Sequence, residues 1–192
     1  SDGLKDYIYN NNEIKNYIDS KQLKYFFTTK LKYWHASIAK NTTHKLANGK
    51  FLVNLDCDNF IGKDGGDLLL DIFNKNQDII ISQSKNIFGS GTAGRLSLSK
   101  ENFLKLGGYN EYFYPMGYQD SDLLNRAIKI KLKLIHLNKN NNAIINSKEE
   151  SIKNCGLNID YKTMENMNKL TSKLNIANNN YIANKYKETI GI

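Results

Sequence analysis

The chain contains very little proline, tryptophan, arginine or cysteine. Its 192 residues include one proline, one tryptophan and two arginines, against 25 lysines. The two cysteines, Cys57 and Cys155, cannot form the disulfide framework of a small secreted domain, and no basic segment followed by an apolar one opens the sequence. We therefore expect no signal peptide and a reducing, cytoplasmic compartment.

Long apolar runs are missing as well. Uninterrupted aliphatic runs such as Leu68–Leu70 and Ile79–Ile81 reach only three residues, whereas a membrane-spanning helix needs about 20. Hydrophobic residues still make up 40% of the chain and charged residues 24%, which is typical of a sequence that buries a core and not of a disordered segment. The length is that of one ordinary domain.

The formal net charge of +8 raises the question of a polyanionic partner. The lysines are spread along the whole chain, whereas a nucleic-acid interface clusters them with aromatic residues. Asparagine, with 28 residues, and isoleucine, with 21, are also in excess, which is the composition that an A/T-rich genome produces. We attribute the charge to this background and expect no nucleic-acid partner, so a basic nucleic-acid binder ranks last among the function classes.

Helix and strand patterns alternate along the chain, which predicts an α/β fold. Helices are predicted over residues 4–19, with a break near 10–12, and over 34–48, 66–75, 100–106 and 120–130. Strands are predicted over 50–56, 78–82, 95–99 and 131–137. Four tail residues also follow helical spacing, and we expect them to pack in the core: Tyr161, Met164, Met167 and Leu170.

The segment Asp56-Cys57-Asp58 follows the predicted strand over 50–56. Two carboxylates one residue apart at a strand end can converge on a divalent cation that bridges the oxygens of a diphosphate. Taken alone the pattern is weak, because aspartates commonly end strands. An EF-hand is excluded, since Phe60 and Ile61 would occupy the fifth and sixth positions of its loop.

Asp120 lies where a helix is predicted to begin. Asp120, Ser121 and Asp122 are all good helix N-caps. The functional alternative is a general base at the edge of a cleft, kept ionised by local N–H groups and ready to accept a hydroxyl proton. From position alone, the cap is favoured.

Two further patterns have simpler explanations. Gly89–Gly94 matches the dinucleotide-binding glycine pattern, but a strand-like segment follows where that site needs a helix, so this interpretation is rejected. His35, His44 and His136 show no metal-ligand spacing among themselves. We expect each histidine to be a packed or surface residue.

The order of these motifs resembles the central part of GT-A-fold glycosyltransferases. The matching segments are Trp34–Asn41, Ala47–Asn59, Gly94–Phe103, Gly107–Glu111 and Tyr118–Arg126. In that family a Lys/Arg-Asn helix precedes an Ala-x-Gly turn, a hydrophobic strand and an Asp-x-Asp motif. The last segment is similar to the Gly-Glu-Asp-x-Asp-Leu-x-x-Arg signature of family 2 and of the C-terminal region of β-1,4-galactosyltransferases. The resemblance covers residues 35–137.

The resemblance implies a GT-A-like (Rossmann-like) mixed sheet flanked by helices, with a helical C-terminal tail. Residues 1–150 would form the catalytic region, and residues 151–192 a helical extension packed on it. Family members begin with strands that hold the nucleotide base, and Ser1–Leu4 is similar to the turn after the second strand. We therefore expect an N-terminally incomplete fold: a fragment, a natural truncation or a domain completed by a further chain.

The activity implied is metal-dependent transfer of a sugar from a nucleotide-sugar donor, expected to be UDP-linked, to an acceptor hydroxyl. Inversion at the anomeric carbon is expected, with retention left open, and the acceptor would be a glycan, a lipid-linked molecule or a protein. The cofactor would be Mn²⁺ or Mg²⁺. The alternative is a non-catalytic carbohydrate-binding or partner module on a truncated GT-A fold, which the missing first strands would favour.

The resemblance also assigns roles to single residues. Metal ligands would be Asp56, Asp58 and, by a looser match, His136. Lys40 and Asn41 would bind the donor together with both aspartates, and Asp120 would deprotonate the acceptor hydroxyl. Tyr118 and Gln119 would face the acceptor. Arg126 would have a structural role. Gln119 departs from the family, which has an acidic residue there, so this acceptor contact becomes neutral.

Overall fold

The computed structural model describes residues 2–56, 59–83, 94–137, 152, 153 and 155–192. The chain divides into two compact units, Ser1–Lys32 and Tyr33–Ile192. The sequence-predicted boundary between residues 150 and 151 falls outside the described ranges. That division into a catalytic region and a C-terminal extension stays a prediction.

The first unit contains two helices, α1 (Asp2–Asn10) and α2 (Asn12–Asp19). Asn11 separates them because its side-chain oxygen accepts hydrogen bonds from the backbone N–H groups of Glu13 and Ile14, both at 3.1 Å, and so caps α2. The predicted break near residues 10–12 is confirmed. Over residues 2–50, the structure shows no strand.

The second unit is built on a four-stranded mixed sheet. Its strands are β1 (Phe51–Val53), β2 (Ile79–Ser82), β3 (Leu96–Ser99) and β4 (Lys133–His136). They lie in the order β1-β3-β2-β4; β3 is antiparallel to β1 and β2, and β2 is parallel to β4. The carboxyl ends of β1, β2 and β4 therefore meet at one edge of the sheet, where β3 begins.

Over the described ranges, this unit includes the helices α3 (Ala36–Leu46), α4 (Gly65–Lys75), α5 (Lys100–Lys105), α6 (Gln119–Lys129) and α7 (Tyr161–Ala177). Every strand and helix predicted from the sequence is present, and the predicted mixed sheet flanked by helices is confirmed. The largest difference is at β1, which ends at Val53 and not at residue 56. There the chain leaves the sheet, and Leu55 is exposed.

Apolar side chains cover both faces of the sheet. One cluster includes Ile79 and Ile81 with Phe73 of α4. The other includes Ile80, the residue between them, together with Leu123 of α6. Successive strand residues point to opposite faces, so the uninterrupted Ile79–Ile81 run is explained by burial on both sides.

Helix α7 buries a different face from the one predicted. Met164 is fully buried, but Met167 is 44% exposed and Leu170 is 52% exposed, so the prediction that both pack in the core is wrong. The buried line consists of Met164, Asn168 and Ser172, four residues apart. A polar residue occupies its centre because the Asn168 amide hydrogen-bonds the backbone of a neighbouring loop. Within the described residues, no helix has the length and apolar character needed to cross a bilayer.

Candidate functional site

The edge where β1 ends and β3 begins holds the first part of the site. The Asn54 backbone N–H donates to the Leu96 carbonyl at 2.8 Å, which extends the pairing of β1 with β3. The buried Asn54 side chain donates to the Gly94 carbonyl at 2.7 Å. These bonds fix Gly94 beside Asp56, the residue that leaves the sheet next.

Three charged side chains from different elements converge at this edge. The Lys40 Nζ of α3 lies 2.7 Å from Asp120 Oδ1 of α6 and 3.9 Å from Asp56 Oδ1 after β1. Gly94 fits between them, since a Cβ added there would lie 3.0 Å from Asp56 Oδ2 and 3.5 Å from Asp120 Oδ2. The structure therefore brings together three of the sequence-predicted site residues and leaves a space that any larger residue at position 94 would fill.

The charges in this cluster do not balance. Burial opposes the charged form of Lys40, but the Asp120 and Asp56 carboxylates outweigh it and raise the pKa of Lys40. One ammonium then faces two carboxylates. The Asp56 side chain is 47% exposed, whereas those of Lys40 and Asp120 are 15% and 22% exposed. The open side of the cluster therefore presents carboxylate oxygen.

Asp120 is not a helix cap. Helix α6 is preceded by Tyr118, whose backbone has a φ of 67°, and no side chain makes the capping hydrogen bond. Asp120 lies in the first turn, and its carboxylate pairs with Lys40 instead. The capping interpretation, favoured from position alone, is wrong because the partner of Asp120 comes from a helix 80 residues earlier in the chain.

Tyr109 forms a wall of the site that the sequence motifs did not reveal. It is fully buried, and the Lys40 Nζ lies 5.2 Å from the centre of its ring. Burial and then the Asp120 and Asp56 carboxylates raise the pKa of Tyr109 well above its usual value. The phenol is therefore a neutral hydroxyl beside two acidic groups, and its ring face holds the Lys40 ammonium.

Asn41 lies beneath Tyr109. Its amide nitrogen donates to the Tyr109 carbonyl at 2.9 Å and to Glu111 Oε1 at 2.7 Å, and its oxygen accepts from the Tyr109 N–H at 2.8 Å. Asn41 is fully buried, and both amide hydrogens are used by these bonds. In this arrangement Asn41 supports the wall formed by Tyr109, and its direct contact with a donor stays a prediction.

Tyr118 and Gln119, the predicted acceptor residues, follow the loop 107–117 and differ in position. Gln119 is buried, and its amide nitrogen lies 3.3 Å from the Pro115 carbonyl. Tyr118 is partly exposed, and its hydroxyl accepts a 3.5 Å hydrogen bond from Asn125. Of the two residues, Tyr118 has the more accessible side chain.

Side chains distant in sequence hold the backbone of the loop 107–117. Asn168 of α7 accepts from the Tyr114 N–H at 2.7 Å and donates to three loop carbonyls, those of Tyr114, Met116 and Gly117. Asn184 donates to the Gly107 and Tyr109 carbonyls and accepts from the Glu111 N–H at 2.9 Å. Sequence analysis missed both asparagines, because nothing separates them from the general asparagine excess.

Arg126 joins α6 to the start of the same loop. Its guanidinium donates to Asp122 Oδ2, the Leu106 carbonyl and the Gly108 carbonyl, each at 2.8 Å. Both members of the Arg126–Asp122 ion pair are almost fully buried. The predicted structural role of Arg126 agrees with this geometry.

His35 and His44 are packed residues, as expected from the sequence. His35 precedes α3 and accepts from the Ile38 N–H through Nδ1 at 3.5 Å, so its Nε2 carries the hydrogen donated to the Phe113 carbonyl at 3.0 Å. His44 packs against the rings of Phe103 and Tyr109. Burial, with a further contribution from Lys40, lowers the pKa of His44 to about 4.

The predicted metal ligands are only partly described. Asp58, Cys57 and residues 84–93 of the glycine-rich segment lie outside the described residues. His136 ends β4, three strand positions from β1, which corresponds to about 14 Å at the usual strand spacing. Within the described ranges, no three His, Cys, Asp or Glu side chains form a group that could hold a metal ion. The metal roles of Asp56, Asp58 and His136 stay predictions.

Comparison with known proteins identifies the central part of the chain. Residues 79–150 match the family model described as the N-terminal domain of galactosyltransferase. This match and the mixed α/β sheet confirm a GT-A-like glycosyltransferase region, as the motif order predicted. The matched segment is less than half of the chain; it contains Asp120 but neither Lys40 nor Asp56. No curated protein and no solved structure matches the chain significantly.

Proposed function

We propose that this protein transfers a sugar from a nucleotide-sugar, expected to be UDP-linked, to an acceptor hydroxyl with inversion at the anomeric carbon. The observation that carries the proposal is the convergence of Lys40, Asp56 and Asp120 around Gly94. A donor site needs groups that bind a diphosphate, and direct displacement needs a base beside the acceptor. The cluster offers both at one edge of the sheet.

Asp120 would act as the general base. It lies in the first turn of α6, and its Oδ1 is 2.7 Å from the Lys40 ammonium at the edge of the sheet. The acceptor oxygen would attack the anomeric carbon while its proton passes to Asp120. The bond to the diphosphate breaks in the same step, which inverts the configuration.

The donor side offers a carboxylate, the kind of ligand that a hard divalent cation prefers. Asp56 presents a half-exposed carboxylate, and Gly94 leaves beside it a space that a Cβ would fill. Asp56 and Asp58 would hold Mn²⁺ or Mg²⁺. The bound cation would neutralise charge on the leaving diphosphate.

Lys40 would connect the general base, Asp120, with the donor-binding carboxylate, Asp56. Its ammonium lies between Asp120 and Asp56, so a bound diphosphate offers it a third anionic partner. Movement of Lys40 towards the phosphates would release Asp120 from its ion pair when the donor is bound. Tyr109 supports this role because its ring face keeps the ammonium within the site.

The central prediction concerns Asp120. Asp120→Asn keeps the side-chain shape but removes the proton acceptor, so we expect turnover of a UDP-sugar to fall about 10²–10⁴-fold. The matched control is Asp71→Asn, which changes an exposed carboxylate on α4 and should keep wild-type turnover. Thermal unfolding checks that both variants fold. Turnover by Asp120→Asn at the rate of Asp71→Asn would remove Asp120 from this role.

A second prediction tests the donor and its cation without requiring turnover. UDP-glucose or UDP-galactose with Mn²⁺ should raise the melting temperature, because a ligand bound only to the folded state stabilises it by about 2.7 kcal/mol at 100 times its Kd. A chelator should remove the increase, and Asp56→Asn should reduce it while Asp71→Asn does not. Equal increases in both variants, with and without chelator, would contradict the metal site.

The second candidate is a non-catalytic carbohydrate-binding or partner module. The Lys40–Asp120 ion pair is the observation that favours it, because the carboxylate that would act as the base is engaged by an ammonium at 2.7 Å. Such a module would bind glycans with wild-type and Asp120→Asn affinities alike and would neither transfer sugar nor hydrolyse a nucleotide-sugar. Measured turnover that depends on Asp120 separates the two functions.

A further inference from the structure

Two polar residues of α7, Tyr161 and Glu165, lie beside the end of the loop 107–117. Gly117, with a φ of 88°, packs so closely on α7 that an added Cβ would lie 2.8 Å from the Glu165 Cβ. The Tyr161 hydroxyl lies 3.3 Å from Glu165 Oε1, one helical turn away on the same face. Glu165 is therefore fixed beside the backbone that leads into Tyr118, two residues before Asp120.

The pKa values of Tyr161 and Tyr118 respond to these neighbouring acidic groups. Burial, Glu165 and then Asp120 raise the pKa of Tyr161 to about 12. Burial also raises the pKa of Tyr118; the hydrogen bond from Asn125 opposes this, and Asp122 and then Glu165 add to it. Glu165 therefore contributes to the raised pKa of one residue on α7, Tyr161, and of one residue that follows the loop, Tyr118.

Glu165 keeps an unbalanced charge. No lysine or arginine within the described part of the chain pairs with it at 4.0 Å or less. Lys40, the cation at the centre of the site, pairs with Asp120 and Asp56 instead. Glu165 is only partly buried, so its carboxylate can accept hydrogen bonds from an incoming molecule.

We propose that Tyr161 and Glu165 line the acceptor site and select an acceptor sugar that is neutral or cationic over one that carries a carboxylate. This inference rests on the proposed function and deepens it. One acceptor hydroxyl would approach Asp120, and a neighbouring hydroxyl or amine would donate to Glu165. An acidic sugar would bring a third negative charge close to the carboxylates of Asp120 and Glu165. Repulsion between these like charges would weaken its binding.

The experiment measures acceptor selectivity. Wild type, Glu165→Gln, Tyr161→Phe and the control Glu188→Gln, which changes an exposed carboxylate, are given UDP-glucose or UDP-galactose with Mn²⁺. The acceptors are the p-nitrophenyl glycosides of glucose, glucosamine and glucuronic acid. The readouts are kcat/KM for each acceptor and KM for the donor. A purely structural role for Glu165 would lower all three acceptor values together.

We expect wild type and Glu188→Gln to prefer the neutral and amino sugars over the glucuronide. Glu165→Gln should reduce that preference about tenfold, since it removes the repelling charge, while KM for the donor stays unchanged. Tyr161→Phe should raise KM for all three acceptors without changing the preference. An unchanged preference in Glu165→Gln, with wild-type transfer intact, overturns this inference alone. A wild type that neither transfers nor hydrolyses the donors overturns the proposed function and the inference with it.

Discussion

The two halves of the candidate site are held in different ways. On the proposed donor side, Asp56 lies three residues beyond β1, and Asn54 bonds the chain between them to Leu96 of β3 and to Gly94. On the acceptor side, the loop 107–117 has no regular secondary structure, and side chains from distant segments hold its backbone. The first half depends on the sheet, and the second depends on the packing of α3, α7 and the tail around a loop.

This difference shows where single substitutions should matter most. Backbone groups of a sheet bond each other, so a side-chain change leaves most of that support in place. A loop whose buried carbonyls are satisfied by one side chain loses several partners when that side chain is removed. We therefore expect the acceptor half to be the more sensitive to changes far from the chemistry.

The largest effect is expected for Asn168→Ala. It removes hydrogen bonds to three loop carbonyls, one of them buried and two partly buried, and to one partly buried N–H. Because unsatisfied buried groups cost about 1–3 kcal/mol each and the loop relaxes in part, the free energy of unfolding should fall by about 3–5 kcal/mol. Asn166→Ala changes an exposed asparagine on the same helix and should stay within about 0.5 kcal/mol of wild type.

Urea unfolding measures both variants. If Asn168→Ala unfolded at the same urea concentration as Asn166→Ala, the loop would not depend on α7. The contrast between the two halves of the site would then be lost.

An intermediate effect is expected from the pH dependence of His44, which packs under Tyr109. Its pKa is about 4 in the folded protein, below the usual 6.5. At pH 7 neither the folded nor the unfolded chain is protonated there; as the pH falls from about 6.5 to 4, the unfolded chain gains the proton first. Stability from this group is therefore lost over that range, by at most about 3 kcal/mol.

The measurement compares urea unfolding of wild type and His44→Phe at pH 7 and pH 4.5. Protonation of carboxylates lowers the free energy of unfolding of both proteins between pH 7 and pH 4.5. The informative quantity is therefore the additional loss of unfolding free energy in wild type. We expect about 2 kcal/mol of additional loss. Equal losses would show that His44 does not resist protonation in the folded protein.

The smallest effect on stability is expected on the donor side. In Gly94→Ala the new Cβ meets Asp56 Oδ2 at 3.0 Å, but the side chain of Asp56 is half exposed and can shift. The free energy of unfolding should change by less than about 1 kcal/mol. Turnover should fall at least about tenfold, because the Asp56 carboxylate is displaced. Gly66→Ala, in the first turn of α4 where an added Cβ meets nothing within 4 Å, should instead stabilise by less than about 1 kcal/mol with turnover unchanged.

Much of the donor half could be predicted from the sequence. The apolar run before Asp56 predicts a strand, and the motif order resembling a known family predicted that Lys40, Asp56 and Asp120 share one site. These signals are local, since periodicity and turn residues determine where an element begins and ends. The role of Asp120 depended on the family resemblance, because its position alone favoured a helix cap.

The supports of the acceptor half could not be predicted in the same way. Asn41, Asn168 and Asn184 each bond a loop that lies more than 50 residues away along the chain, and no periodic pattern marks such partners. The same limit explains the error at Met167 and Leu170. Helical spacing identified the right helix but not which of its faces meets the rest of the protein.

The hydrogen bonds of Asn168 also have a consequence for motion. The loop N–H of Tyr114 has its acceptor on α7, so it can exchange with solvent only when that contact opens. Loop and helix should then form one cooperative opening unit, and the residues beside Asp120 would lose their position whenever α7 separates. The lifetime of a competent acceptor site would be set by a helix that carries neither the base nor a donor ligand.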